Sequence, residues 1–482
     1  MSSSSARGGQ TSRNGIDYTV ILPVLFLEYL SVSIAKSLIP TMIVDSFGSY
    51  SYLAVGCMET VKGLLAFVSS PLFGKLSDII GRKYCLLATV IGTTLPVFMM
   101  VFTTNMYVYG AMLGVSGFFS ATFTLTFAYI SDCVDARKRA PAYGLALATF
   151  GLSFTVGPIT GSLLAAQLGK KAVFFLSLLL AILDVLYIVF RLPESVQGLD
   201  SEAPSPYQKL GVAIEYLPNS WSFSETFKLF GADPFMRDLA VVVFMYYTAV
   251  WAIVSTLMVY ITRHLLFTPV QLGWLLSAYG LATMFSEGVL VRIAVPRLGE
   301  LGCMRLGLAA FAVQCALVAT SSSPAWIFVS VLFSTGANLF YPSVSSLVSK
   351  IVDERQQGEA QGALNGIKAL TEGFGPLLFG ALMGLFEHSP QPGAPFLLAS
   401  VLSLWAFLHC AELPAPGSLQ AIKVRAAGAA SEETEGLLEE RREWEEAQRS
   451  RRKRQTHGNG LGRNSPGGNG LGETPPTVEE GH

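Results

Sequence analysis

Eight ionisable side chains stand inside stretches that are otherwise apolar: Glu28, Lys36, Glu59, Lys62, Asp184, Glu287, Lys368 and Glu372. An ionised group at the centre of a bilayer-spanning helix costs about 2.5–3.5 kcal/mol, so each must face a cavity, pair, or be neutralised. Glu28 lies midway along LPVLFLEYLSVSIAK. Desolvation makes a lone carboxylate costly there, which suits it to load and release a proton; the alternative is a structural ion pair with Lys62. Glu59 and Lys62 are three residues apart, and Lys368 and Glu372 four apart, so each pair shares a helix face. Such pairs either neutralise themselves or meet a charged solute. Asp184 is open to a pairing, interfacial or transport role, and Lys36 can snorkel towards a membrane surface. The chemistry these residues suggest is solute recognition and proton exchange, not bond making. His264, His388 and His409 are isolated, and no nucleophile elbow, phosphate-binding loop or Walker motif occurs, so neither an enzyme nor an ATP-driven pump is expected. The six cysteines are scattered without metal-ligand spacing, so no metal, cofactor or disulfide framework is expected.

The elements that must position these groups are membrane helices. The chain has 482 residues, 51% hydrophobic and 14% charged, where a soluble chain carries about 25% charged residues. Its formal net charge of -1 argues against a nucleic-acid partner. Stretches long enough to cross a bilayer fall near 18–44, 51–73, 84–103, 107–131, 141–166, 172–192, 238–261, 271–295, 303–321, 325–349, 360–385 and 395–412. They are labelled α1 to α12 in order. Unbroken apolar runs exclude the alternating pattern of a β-barrel, so the expected fold is an all-α membrane protein of twelve helices in two six-helix bundles. The expected domains are a polar N-terminus (1–17), a first bundle (18–192), a linker (193–237), a second bundle (238–412) and a low-complexity tail (413–482). The N-terminus lacks the features of a cleaved signal peptide, so insertion is expected to rely on α1.

Three further patterns bear on mechanism. GKLSDIIGRK (74–83) packs Gly74, Lys75, Asp78, Gly81, Arg82 and Lys83 into a tight connection between α2 and α3, where they look like a conformational latch. Basic residues, among them Lys75, Arg82, Lys83, Arg139, Arg297, Arg305 and Lys350, favour the connections after even-numbered helices. That bias places both termini and the linker in the cytoplasm. Adding 218 to a first-half position repeatedly lands on the same residue type: Gly81 and Gly299, Cys85 and Cys303, Gly144 and Gly362, Gly157 and Gly375, Pro158 and Pro376. Two parallel halves of six helices are a transporter architecture with a site between them. The glycines and prolines of α5 and α11, with Gly161, read as close packing or as paired hinges, one per half.

The tail contains GNGLG twice without a flanking strand, which marks low-complexity sequence and not a dinucleotide loop. It also contains ETEGLL, in which Leu437 and Leu438 fit a dileucine sorting signal read by a trafficking adaptor. A non-transporting receptor or adaptor on a transporter fold is therefore the alternative to transport.

The 74–83 segment resembles the signature loop of the major facilitator superfamily, and α5 resembles the glycine motif of its drug/proton antiporters, with Ser153 and Ser162 at two glycine positions. FLEYL (26–30), VKGLLAFVSSPLFGKLSDIIGRK (61–83), FAYISD (127–132), LPES (192–195) and YPSVSSLVSK (341–350) look like the hippocampus-abundant-transcript subfamily of tetracycline-transporter-like orphan solute carriers. The resemblance covers roughly 18–412. It implies alternating access for a small organic solute, with proton coupling as a second expectation. It further implies that Asp78 rests against the start of α11 near Glu359–Gly362, and that Arg82 pairs with Asp132 at the end of α4. In the second half Pro296 replaces the Asp78 equivalent and Glu300 the Arg82 equivalent, so one working latch is expected. The antiporters' α4 arginine is missing from GAMLGVSG (110–117). Trp251, Tyr279 and Tyr341 are available to stack on a solute. The sequence leaves plasma membrane and endolysosomal or Golgi membrane open.

Overall fold

The computed structural model describes residues 17–134, 139–195, 234–351 and 357–414. The linker and the tail, with Leu437 and Leu438, lie outside those residues. Among the described residues every regular element is helical. Eleven continuous helical runs are long and apolar enough to cross a membrane. The longest, Pro269–Thr320, contains two rods end to end, because Gly299 breaks its helical backbone with φ 71° and ψ 170°. Counting those rods separately accounts for the twelve predicted helices. The α2–α3 connection uses the same device: Ser51–Ile80 ends at Gly81, φ 117°, and Arg82–Phe102 follows at once. Positive φ there strains any residue with a Cβ, which is why both positions are glycine.

In the first bundle α1 is Leu22–Lys36, continued after a short break by Ile39–Phe47. α4 is split into Met106–Phe118 and Thr122–Cys133; α5 is Arg139–Leu168 and α6 is Lys170–Arg191. In the second, α7 is Pro234–Trp251 and Leu257–His264 joined by a wide π turn, and α8 starts at Pro269 behind a capping box of Thr268 and Gln271. α10 is split into Pro324–Ala337 and Phe340–Ile351, matching the split of α4; α11 is Gln357–Phe386 and α12 is Ala394–Glu412.

Packing repeats the sequence symmetry. α1 lies along α5 and α6, and α3 along α4 and α6; α7 lies along α11 and α12, and α9 along α10 and α12. Predicted hinge residues sit in equivalent contacts: Gly157 is pressed on Ser33 of α1, and Gly375 on Trp251 of α7, again 218 positions on. Gly161 is pressed on Ile34, while Pro158 and Pro376 lie inside their helices. The surroundings of Arg139 and Gly362 lie outside the described residues.

The bundles meet through α2 against α11 and α5 against α8. Lipid tails are as apolar as leucine, so close backbone approach and hydrogen bonds, not hydrophobic burial, hold such an interface. Gly56 and Gly380 mark the closest crossing: a Cβ on Gly56 would lie 2.7 Å from the Pro376 carbonyl oxygen, and one on Gly380 would lie 2.6 Å from that of Tyr52. The close contacts run from the end carrying Arg263 to the middle, where Gly63 meets Glu372 and Gly151 meets Met284. Beyond them, Gly144, Gly288 and Gly366 have open space where a side chain would be. Among the described residues the bundles are thus closed at the Arg263 end and apart at the Arg82 end.

Candidate functional site

At the middle of the interface Lys62 reaches two acids, Glu59 on its own helix at 3.3 Å and Glu372 of the opposite bundle at 3.9 Å. The i,i+3 spacing brings Glu59 to Lys62, and the α2–α11 crossing brings Glu372. Lys36 and Lys368 stand nearby without an acid within ion-pair distance among the described residues. Lys36 is exposed and lies over the Phe154 ring at 5.3 Å. Lys368 lies over Tyr341 at 5.1 Å and Tyr247 at 5.5 Å, and Tyr341 donates to Asn365 at 3.0 Å. Glu287, within electrostatic range of Lys368, sits on the π turn Ser286–Leu290 of α8. A π turn re-aims side chains relative to the rest of the helix.

Glu28 is placed elsewhere, inside the first bundle. One carboxylate oxygen accepts from Thr93 at 2.7 Å and Thr122 at 2.9 Å, and Lys62 is not its partner. Asp184 is fully buried on α6 with both oxygens unbonded.

An aromatic wall that the sequence reading missed lines the α4–α5 side. Tyr29 stacks on Phe123 at 5.1 Å and meets Phe150 edge-on at 4.8 Å; Phe150 continues to Phe154 at 4.7 Å, and Phe127 meets Tyr143 at 4.8 Å. The spacing of Phe123 and Phe127, and of Phe150 and Phe154, at i,i+4 was the available signal. Two expected stacking residues are not in the site. Trp251 is buried under Gly375, and Tyr279 accepts from Gln314 within the second bundle at 2.9 Å.

At the Arg82 end the guanidinium contacts Asp132 at 3.1 Å and Asp78 at 2.6 Å, and also Ser77. Asp78 is largely exposed, and the side chains near Glu359–Gly362 lie outside the described residues. Gly74 offers its carbonyl to Arg82 at 3.5 Å, and Lys83 donates to the Val189 carbonyl at 2.8 Å. Two residues of the cluster were not named from sequence as contacts. Glu194 accepts the backbone N–H groups of Arg82 at 2.9 Å and Lys83 at 3.1 Å, and Ser195 donates to Asp132 at 2.9 Å. The start of α3 leaves free N–H groups that attract an anion, and the chain leaving α6 supplies one. In the second half Lys350 pairs with Glu300, which also accepts from Ser346 at 3.2 Å. Glu300 and Lys350 are the 218-offset equivalents of Arg82 and Asp132. The second half therefore keeps an ion pair at this place with its charges exchanged, although it lacks the loop aspartate.

At the opposite end Arg263 of α7 pairs with Glu387 and donates to the Gly48 carbonyl of the first bundle. It also reaches Ser51 at 3.4 Å and lies over the Tyr52 ring at 5.7 Å.

Two pseudo-symmetric six-helix bundles with ion pairs at their shared interface define a multi-pass membrane protein of transporter type. A sequence profile described as Major Facilitator Superfamily matches residues 21–248 and 239–455, and the chain belongs to that superfamily. It is 30% identical over 421 residues to the hippocampus abundant transcript 1 protein of Mus musculus and of Homo sapiens, over 81% of this chain and 83% of each relative. It is 26% identical over 386 residues to the class C tetracycline resistance protein of Escherichia coli, over 80% of this chain and 94% of that one. Two solved structures share the fold. The human organic anion transporter MFSD10 (TETRAN) has a TM-score of 0.60 at 22% identity, over 82% of this chain and 98% of that one. A POT family transporter has a TM-score of 0.63 at 12% identity, over 81% and 94%.

Proposed function

We propose that the protein moves a small organic solute across a membrane by alternating access, with the solute held between the bundles and the transport coupled to protons. The observation that carries this reading is the asymmetry of the interface among the described residues: close contacts from the Arg263 end to the middle, and open space at Gly144, Gly288 and Gly366 towards the Arg82 end. In the cytoplasmic orientation expected from the basic residues, this is an inward-facing arrangement. Lys36 and Lys368, each backed by aromatic rings and without a contacting acid, favour a solute that carries a ring and an anionic group. Proton coupling is assigned to Glu28, whose burial makes its charge state consequential.

The test is flux in proteoliposomes under an imposed proton gradient, comparing an aromatic carboxylate with its neutral amide. Gradient-dependent movement of the carboxylate, lost with Glu28→Gln and with Lys368→Gln, is the expected result. Folded protein that moves neither compound faster than empty liposomes overturns the reading.

A further inference from the structure

The central acids and the buried acids of the first bundle live in different surroundings. Glu59 and Glu372 contact Lys62, and Glu287 lies within electrostatic range of Lys368. Glu28 and Asp184 have no lysine, arginine or histidine in ion-pair contact among the described residues, yet they are 1% and 0% exposed. Three of their four carboxyl oxygens are unbonded: Oε2 of Glu28 and both Oδ atoms of Asp184.

Their placement follows from helix periodicity. On α6, Ser177, Ala181 and Asp184 follow the i, i+4, i+7 spacing of one buried face. On α1, Glu28 and Ser31 share a face. The helices are joined by Ser177 donating to the Ser31 carbonyl and Tyr187 donating to the Val20 carbonyl at 3.0 Å. Glu28 lies between those two anchor points, within electrostatic range of Asp184. α3 brings Thr93 and Thr94, and α4 brings Thr122. Ser31, Thr94, Ser177 and Ala181 line a small void beside this group, and Ser31 Oγ is itself buried and unbonded. The remaining titratable neighbours are Tyr29 beside Glu28, and Tyr187 beside Asp184 with Arg191 beyond it.

A buried carboxylate without a counter-charge pays a desolvation cost of several kcal/mol. Two within range of one another cannot both be ionised without adding repulsion to that cost. We propose that Glu28 and Asp184 form one coupling-ion site, sealed inside the first bundle, that takes up and gives back a single proton. The exchange is between a state with both carboxyls neutral and a state with one of them ionised, its charge opposing ionisation of the other. The proton is taken from water reaching the bundle and returned to it, and no bond to the solute is involved. Tyr29, adjacent to Glu28, stacked on Phe123 and edge-on to Phe150, connects this site to the aromatic wall. This deepens the transport reading by separating the proton's carboxyls from the charges that hold the solute.

The test uses the purified full chain in lipid nanodiscs without solute. Infrared spectra across pH follow the protonated-carboxyl band in the parent, Glu28→Gln, Asp184→Asn and the double variant. Melting temperature is recorded over the same range in sodium and in choline chloride. The expected result is a band in the parent at neutral pH that the double variant loses, with Asp184→Asn changing the pH profile of what remains from Glu28. Should Asp184→Asn fold poorly, Asp184→Ser supplies the same comparison. A band and melting profile unchanged by removing the Asp184 carboxyl would overturn the shared site. So would stabilisation by sodium in the parent that Asp184→Asn abolishes, since the site would then hold a metal cation. A shared titration in a chain that moves no solute would refute the transport reading alone. Parent-like proton-driven flux in Asp184→Asn would refute only this site.

Discussion

The backbone N–H of Ile159 donates to the Ser277 hydroxyl at 3.2 Å, and that of Leu377 donates to the Thr60 hydroxyl at 3.1 Å. Ile159 and Leu377 are 218 positions apart, and each follows a proline within its helix. Proline weakens its own helix's ladder. At both prolines a hydroxyl of the opposite bundle takes the next N–H.

These two bonds are expected to help hold the Arg263 end shut. Each is worth about 0.5–1.5 kcal/mol, so Ser277→Ala with Thr60→Ala should shift a closed–open equilibrium measurably. Spin labels at the exposed Tyr50 and Leu266 would report a longer, broader separation. An unchanged distribution would show that the bonds are incidental.

The Arg263–Glu387 pair is expected to latch the same end. Glu387→Gln leaves Arg263 with only neutral acceptors, the Gly48 carbonyl and Ser51. In a background without Cys57, a thiol reagent should modify Val55→Cys several-fold faster when Glu387→Gln is present. Equal rates would mean that this pair does not gate access.

Arg82 and Asp132 are expected to be coupled energetically. Breaking a buried pair costs about 3–5 kcal/mol, and the partial exposure of Asp132 reduces this to about 1–3 kcal/mol here. Melting temperatures of Arg82→Gln, Asp132→Asn and the double variant should be non-additive, the second change costing little after the first. Additive losses would count against a shared interaction.

Lys62 is expected to be needed chiefly to offset its acids. Lys62→Met removes the cation in contact with Glu59 and Glu372, leaves them only the more distant Lys36 and Lys368, and should lower thermal stability, while adding Glu59→Gln should recover much of the loss. Recovery is the discriminating measurement; a further drop would contradict the pairing.

The helices could be read from the chain because lipid demands long apolar runs, and the run through α8 and α9 needed only Gly299 to be divided. The eight embedded charges were legible as a set for the same reason, since each is costly in an apolar stretch. Their partners were not. Whether Glu28 meets Lys62 or the hydroxyls of Thr93 and Thr122 depends on how α1 is rotated against α2, α3 and α4, and periodicity alone does not fix that angle. Glu194 stands in the quoted LPES segment, but its contacts with the Arg82 and Lys83 backbone were not legible, because N–H groups carry no residue-type signal.

The exchanged polarity of Glu300 and Lys350 makes the two turns, as distinct from the two halves, non-interchangeable parts. A loop transplanted from the α2–α3 turn into the α8–α9 turn would set its arginine against Lys350, and the reverse graft would face Glu300 with Asp132. Each half carries key and lock together, so a protein assembled from two copies of the first half would keep this pair intact in both places.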